Sequence, residues 1–231
     1  MSYFRCIDKG KGPIKLFIGG LHGNEGKTTI DFLKSLKTND FSNGRILIYN
    51  FDKTPYVSTL KEEYYSSAIG KKLIAIIKRY KPDFYTELHC YNLKNYKKLI
   101  SNSRRTIEGV PPLIELRNHV LMSSVSPLIR MKYFDRNTVC KTLEIPCLDE
   151  QFLKSYPDNQ NTTHVRDNNQ INSTDFNMES SFKIYLDILK IIAKSNNRSE
   201  FENKMKDIYP EQVRLATEFA KDIFGEYFPP F

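Results

Sequence analysis

The sequence predicts an α/β fold in three layers, with a mixed and mostly parallel central sheet between helices, organised as one domain over residues 1–231. Three observations carry that prediction. Short apolar runs alternate with longer stretches of helical period, the order that right-handed crossovers between parallel strands require. The first run, Ile14 to Gly20, is apolar on both faces, as a strand inside a parallel sheet must be. A chain of 231 residues that is 40% hydrophobic can also bury one sizeable core.

In order along the chain, Gly26 to Leu36 is a helix with Ile30, Leu33 and Leu36 on one stripe, and with Lys34 and Lys37 where the dipole favours cations. Arg45 to Asn50 is the second strand, carried by Ile46-Leu47-Ile48-Tyr49. Ser67 to Tyr80 is helical through Leu73, Ile74, Ile76 and Ile77, and Pro82 separates it from a third strand, Asp83 to His89. Val120 to Met122, Leu128 to Tyr133 and Val139 to Ile145 read as further strands, with breaks at Pro111-Pro112, Pro127 and Pro146. Tyr156 to Asn177 is rich in Asn, Asp, Gln, Ser and Thr, which predicts a surface loop. Two helices are expected after it, Glu179 to Ser195 and Glu211 to Phe224. The closing Tyr227-Phe228-Pro229-Pro230-Phe231 is apolar for a tail, so docking on the body or on a second subunit, as a homodimer, is expected.

Composition narrows the function classes. The formal charge is +8 and the pI about 9.1, yet the lysines are scattered and form no block of five basic residues, so nucleic acid is not expected as a partner. The basic surface suits a small anionic substrate instead. No apolar run approaches the roughly 20 residues of a membrane span, and Met1 to Cys6 lacks the apolar core of a secretory signal; a cytoplasmic location is expected. Cys6, Cys90, Cys140 and Cys147 show no CxxC spacing and read as small buried thiols.

The chemistry is concentrated in Ile18-Gly19-Gly20-Leu21-His22-Gly23-Asn24-Glu25-Gly26, where a strand stops in a glycine-rich turn bearing a histidine and a carboxylate. Glycine permits the sharp turn and close backbone approach of a strand-end site. In parallel sheets such sites collect beyond the carboxyl ends of the strands, and His89 ends the third one. His22, Glu25 and His89 therefore form a candidate ligand set for one zinc ion, with a fourth position open to water. Two-residue periodicity puts Glu87 on the face of His89, where it can accept the imidazole N–H and fix the tautomer. Glu144, acidic within the strand-like Lys141-Thr142-Leu143-Glu144-Ile145-Pro146, is the candidate general base and acid; an ion pair with Arg130 is the competing explanation. Tyr91, with Tyr64 and Tyr65, can donate to an oxyanion, against a plain packing role. His119 and His164 are read as non-ligands.

The order His-x-x-Glu, Glu-Leu-His, Leu-Glu-Ile resembles the zinc carboxypeptidase superfamily, in particular its succinylglutamate desuccinylase and aspartoacylase branch. His22-Gly23-Asn24-Glu25 is similar to that branch's HGNE loop, Glu87-Leu88-His89 to its Asp-Leu-His, and Leu143-Glu144 to the strand with its catalytic glutamate. Pro55-Tyr56-Val57-Ser58-Thr59-Leu60 and Tyr64-Tyr65-Ser66-Ser67 look like an uncharacterised archaeal family affiliated with the superfamily. The resemblance spans roughly residues 14 to 150 and implies zinc on His22, Glu25 and His89, with Glu144 as base and acid. The activity it implies is hydrolysis of an amide in a small carboxylate-bearing substrate, an N-acyl amino acid or a peptide C-terminus. The arginines that grip the substrate in aspartoacylases are missing, since no Arg lies between Phe51 and Lys78. Lys53 and Lys61, as point charges, or Arg104 and Arg105, reaching in from the loop after the third strand, are the candidate replacements.

Two other classes stay open. A non-catalytic relative would bind metal or ligand without turnover. A divergent phosphate-binding loop is suggested by Gly26-Lys27-Thr28, although Leu21 stands where GxxxxGK[ST] needs its first glycine.

Overall fold

The computed structural model describes residues 3–147 and 177–225. Among the described residues the sheet has seven strands: β1 (Tyr3–Asp8), β2 (Ile14–Gly19), β3 (Arg45–Asn50), β4 (Phe84–Tyr91), β5 (Ile114–Arg117), β6 (Val120–Ser123) and β7 (Val139–Pro146), in the spatial order β1-β3-β2-β4-β7-β6-β5. β3, β2, β4 and β7 are mutually parallel, while β1 pairs antiparallel at one edge and β6 and β5 antiparallel at the other. This is the predicted α/β architecture, a mixed and mostly parallel sheet flanked by helices. All eight residues of β4 are buried, as its central place demands.

Helices α1 (Gly26–Ser35), α7 (Met178–Lys194), α8 (Arg198–Ile208) and α9 (Pro210–Phe224) cover one face. Their Phe32, Tyr185, Ile188 and Phe201 pack on Phe17, Leu88, Val120 and Leu143. The other face carries α2 (Glu62–Ser66), α3 (Ala68–Tyr80) and α6 (Pro127–Tyr133), with Tyr64, Leu73, Ile77 and Ile129 against Leu16, Ile18 and Tyr85. Two short helices, α4 (Tyr96–Leu99) and α5 (Ser103–Glu108), lie beyond the end of β4.

Local signals explain where these helices begin and end. Ser67 caps α3 by accepting from the Gly70 amide, and Asn177 and Asn197 cap α7 and α8 by accepting from Ser180 and Glu200. Proline stands at the first turn of α6 and α9, where its missing N–H costs nothing. Lys81 ends α3 in the left-handed conformation, φ 43°, just before Pro82.

Several expectations are corrected. Leu128 to Tyr133 is not a strand: Pro127 initiates a helix, and Ile129 and Arg130 are its buried positions. β1, β5 and α8 had no readable pattern. The reading as small buried thiols holds for Cys140 alone: Cys6 is a free thiol but exposed, on the edge strand β1, and Cys90 and Cys147 form a disulfide with Cα atoms 4.9 Å apart. They lie at the ends of adjacent parallel strands, a proximity that a separation of 57 residues conceals. The polar loop up to residue 176 and the tail from residue 227, with the homodimer expected of it, lie outside the described residues. Among the described residues no helix is long and apolar enough to cross a membrane.

Candidate metal centre

The loop after β2 is shaped by what crowds it. Gly20 has φ +70°, and a Cβ there or at Gly26 would collide with the Phe51 carbonyl oxygen. Asn50, at the end of β3, accepts from the Thr29 hydroxyl at 2.6 Å and donates to the Gly26 carbonyl at 3.0 Å, tying β3 to the start of α1. Tyr64 donates to the Leu21 carbonyl at 2.9 Å, and Thr54 donates to the carbonyls of Gly20 and Gly23. Braced in this way, the loop projects His22 and Glu25 back over the carboxyl edge of the sheet.

There they meet β4. The Nδ1 of His22 lies 3.1 Å from one Glu25 oxygen, and the Nδ1 of His89 lies 3.1 Å from the other. One ligand atom from each of the three residues falls within 4.8 Å of the other two. The imidazole rings lie 4.9 Å apart, centre to centre. The other nitrogen of His89, Nε2, is 3.4 Å from Glu87, so Nδ1 is the nitrogen left for Glu25 or a cation. Glu87 also accepts from the Tyr85 hydroxyl at 2.7 Å and the Thr142 hydroxyl at 3.3 Å. Glu144 stands beside His89 across the β4–β7 ladder.

Three carboxylates around two imidazoles make a site that wants positive charge. Burial works against a charged His89, but Glu25 and Glu87, aided by Glu144, outweigh it and hold its pKa well above the ordinary value. Burial and the neighbouring His89 push His22 the other way. Burial lifts Glu144 to about 7, reinforced by Glu25 and Glu87 and opposed by His89 and Arg104. The donor chemistry suits a borderline cation: two imidazole nitrogens and one carboxylate, with contacts of 3.1 Å close to the roughly 3.3 Å edges of a tetrahedral zinc site.

Two cavities open from this point. One, of about 250 Å³, is bounded by His22, His89 and Glu144, by Ser58 to Leu60, by Arg104, Val110 and Leu113, and by α9. The other, of about 650 Å³, runs past Glu25, Lys27, Tyr56, Asn92 and Lys98. Residues from the stretches 50–66 and 91–112 contribute to these walls.

The candidate substrate contacts divide. Arg104 borders the smaller cavity, with Nε 3.0 Å from Glu108 and one Nη on the Pro111 carbonyl at 3.0 Å. Arg105 lies elsewhere, paired with Asp222 at 2.7 Å and stacked on Phe219. Lys53 and Lys61 are exposed and border neither cavity. Tyr91 borders the larger cavity, but its hydroxyl donates to the His119 carbonyl at 2.7 Å, and those of Tyr64 and Tyr65 are likewise spent on carbonyls. Arg130 donates to the carbonyls of Asp135, Arg136 and Thr138. His119 stacks on Tyr96, rings 4.0 Å apart, and His164 lies outside the described residues. Sequence reasoning missed Thr142 and Tyr85, which hold Glu87. Tyr85 shares the face of Glu87 by strand period and was findable; Thr142, 55 residues away, was not.

Fold and site together define an α/β protein with a candidate metal centre of two histidines and one glutamate at the carboxyl edge of its sheet. The chain belongs to DUF2119, described as an uncharacterized protein conserved in archaea, whose family model matches residues 10–225. Over 224 residues it is 42% identical to the uncharacterized protein MJ0501 of Methanocaldococcus jannaschii, covering 92% of each chain. No solved structure matches the chain at a significant level.

Proposed function

We propose that this protein is a zinc-dependent hydrolase that cleaves an amide bond in a small carboxylate-bearing substrate, an N-acyl amino acid or a peptide C-terminus. The reading includes a distant kinship with the zinc carboxypeptidase superfamily, on the aspartoacylase side. The observation that supports it most is the convergence of His22, Glu25 and His89, with Glu144 in register beside His89.

His22, Glu25 and His89 hold one zinc ion per chain, which when bound supplies Lewis acidity at the scissile carbonyl and lowers the pKa of water toward about 7. Glu87 accepts from Nε2 of His89 and so directs Nδ1 at the site. Glu144, beside His89 across the β4–β7 ladder, takes a proton from the attacking water and passes it to the leaving nitrogen. Burial of the surroundings strengthens these electrostatic contacts.

One observation favours a metal- or ligand-binding relative without turnover: the region from Phe51 to Lys78 has no arginine, and Arg104 is engaged by Glu108 and Pro111. A nucleotide-binding loop is less well served, because Glu25 puts a carboxylate at the N-terminus of α1 where a phosphate would lie. Metal analysis and a screen of N-acyl amino acids separate the first two readings. We expect about one zinc per chain in the wild type and none in His89→Ala. Glu144→Gln should keep the metal and lose turnover by roughly 10²–10⁴-fold. Full zinc with no turnover of any amide would select the binding role, and a wild type that takes up no zinc would end the proposal.

A further inference from the structure

We infer that the Cys90–Cys147 disulfide is a redox latch on the candidate metal centre: closed, it pins the strand ends that carry His89 and Glu144, and opened by a dithiol it lets them loosen, so that the cation is held less tightly. This rests on the metal-binding part of the hydrolase reading and adds a control on it.

The strand registers show what the bond holds. β2 stays paired with β4 only as far as Gly19 opposite Leu88, and β6 with β7 only as far as Leu121 opposite Glu144. The β4–β7 ladder runs further, through His89 opposite Glu144, Cys90 opposite Ile145 and Tyr91 opposite Pro146. Among the described residues, its last two rungs therefore form a two-stranded ribbon that projects beyond the neighbouring strands, and such a ribbon is marginal by itself. The root of the ribbon is the rung of the ligand His89 and the candidate base Glu144. Its free end is closed by the disulfide, with Cα atoms 4.9 Å apart, and by the Cys147 amide donating to the Tyr91 carbonyl at 2.9 Å. Strand ends open more readily than strand centres, and an opening that starts here reaches His89 within two rungs.

The bond is also placed to be opened. Cys147 is exposed, and both cysteines line the larger cavity, which reaches His22, Glu25 and Glu144. A thiolate of the reductant attacks Sγ of Cys147, the S–S bond breaks, and Cys90 leaves as a thiolate that takes up a proton. The second thiol of the reductant then attacks the mixed disulfide and frees Cys147. Two electrons and two protons pass from the dithiol, which ends as a cyclic disulfide, to the cysteine pair. Neither remaining thiol diverts the exchange: Cys140 is buried, and Cys6 lies on β1, with β3 and β2 between it and β4. Reduction leaves the fold in place, because Leu143 and Ile145 stay packed in the core and the Tyr91 hydroxyl stays on the His119 carbonyl at 2.7 Å.

The test treats the folded protein with dithiothreitol, labels it with iodoacetamide and locates the label by mass spectrometry. We expect Cys90 and Cys147 to be labelled and Cys140 to stay unlabelled, with Cys6 labelled in either state. A pair that resists reduction without denaturant overturns the latch. Zinc affinity, measured with a chromogenic chelator after the reductant is removed without air, should fall about tenfold on reduction and recover on reoxidation. It should stay low in the Cys90→Ser/Cys147→Ser double variant. Equal or tighter binding by the reduced protein overturns the proposal. If neither form takes up zinc, the hydrolase reading fails by itself, and hydrogen exchange of the metal-free protein decides the latch. On reduction the Cys147 amide should then gain more in exchange rate than the amides of β2, and an equal gain in both overturns it.

Discussion

Glu87 is a carboxylate only 1% exposed in the middle of a sheet, a position where a lone acid would be expelled. Tyr85 and Thr142 donate to it, and His89 faces it with Nε2, so its burial is compensated by the residue it orients. Replacing it by Gln should keep the fold and lower zinc affinity about 10- to 100-fold, measured by competition with a chromogenic chelator. Unchanged affinity would show that His89 needs no orienting partner. Glu144 makes a pH prediction. Its carboxyl is raised from the ordinary 4.5 to about 7, so the native state holds the proton more tightly than the unfolded chain. In the metal-free protein, stability associated with this group is complete below pH 4.5 and is lost as pH rises through about 7. The urea midpoint of Glu144→Gln should therefore gain on that of the metal-free wild type across that window. A gap independent of pH would contradict the shift.

At the scale of elements, β2 carries an anomaly with a readable sign. Lys15 is completely buried, lies over the Phe84 ring at 5.4 Å, and donates to Ser42 and to the Ala193 carbonyl. Burial depresses its pKa from 10.5 to about 8, so the charged form is penalised in the fold. The penalty is complete below pH 8 and disappears as pH climbs to 10.5. Lys15→Met should raise stability at pH 7 by about 1–3 kcal/mol, with the gain shrinking toward pH 10.5; Ala193 keeps a donor in the Ser42 amide at 3.1 Å. Chemical denaturation at the two pH values checks this, and a destabilised variant at pH 7 would refute it. Element boundaries were legible where the period was long or a cap was present: β3 and α3 were read within a residue from their apolar spacing and from Ser67. Pro127 was read as a break because the helix after it has seven residues, too few to show a 3.6-residue period.

For the whole molecule, a bound metal would couple the loop after β2 to β4 across the sheet edge, so its removal should register in global stability. With free zinc about 1,000-fold above Kd, linkage contributes about 4 kcal/mol, or roughly 8–16 °C of thermal midpoint for a chain of this size. Adding EDTA should remove that increment from the wild type and change nothing in His89→Ala; equal responses would argue against a site at His22, Glu25 and His89. Sequence by itself determined the α/β class, the parallel strands with the long helices α1 and α3 between them, and the residue types suited to a metal, because periodicity, glycine turns and donor chemistry are local properties. Only the tertiary structure decided that Glu25 stands between two imidazoles, that Cys90 meets Cys147, and that Arg104 borders a cavity while Lys53, Lys61 and Arg105 do not. Those facts depend on which strands become neighbours and on which helices close over their ends, and packing settles that across separations that no window of the chain contains.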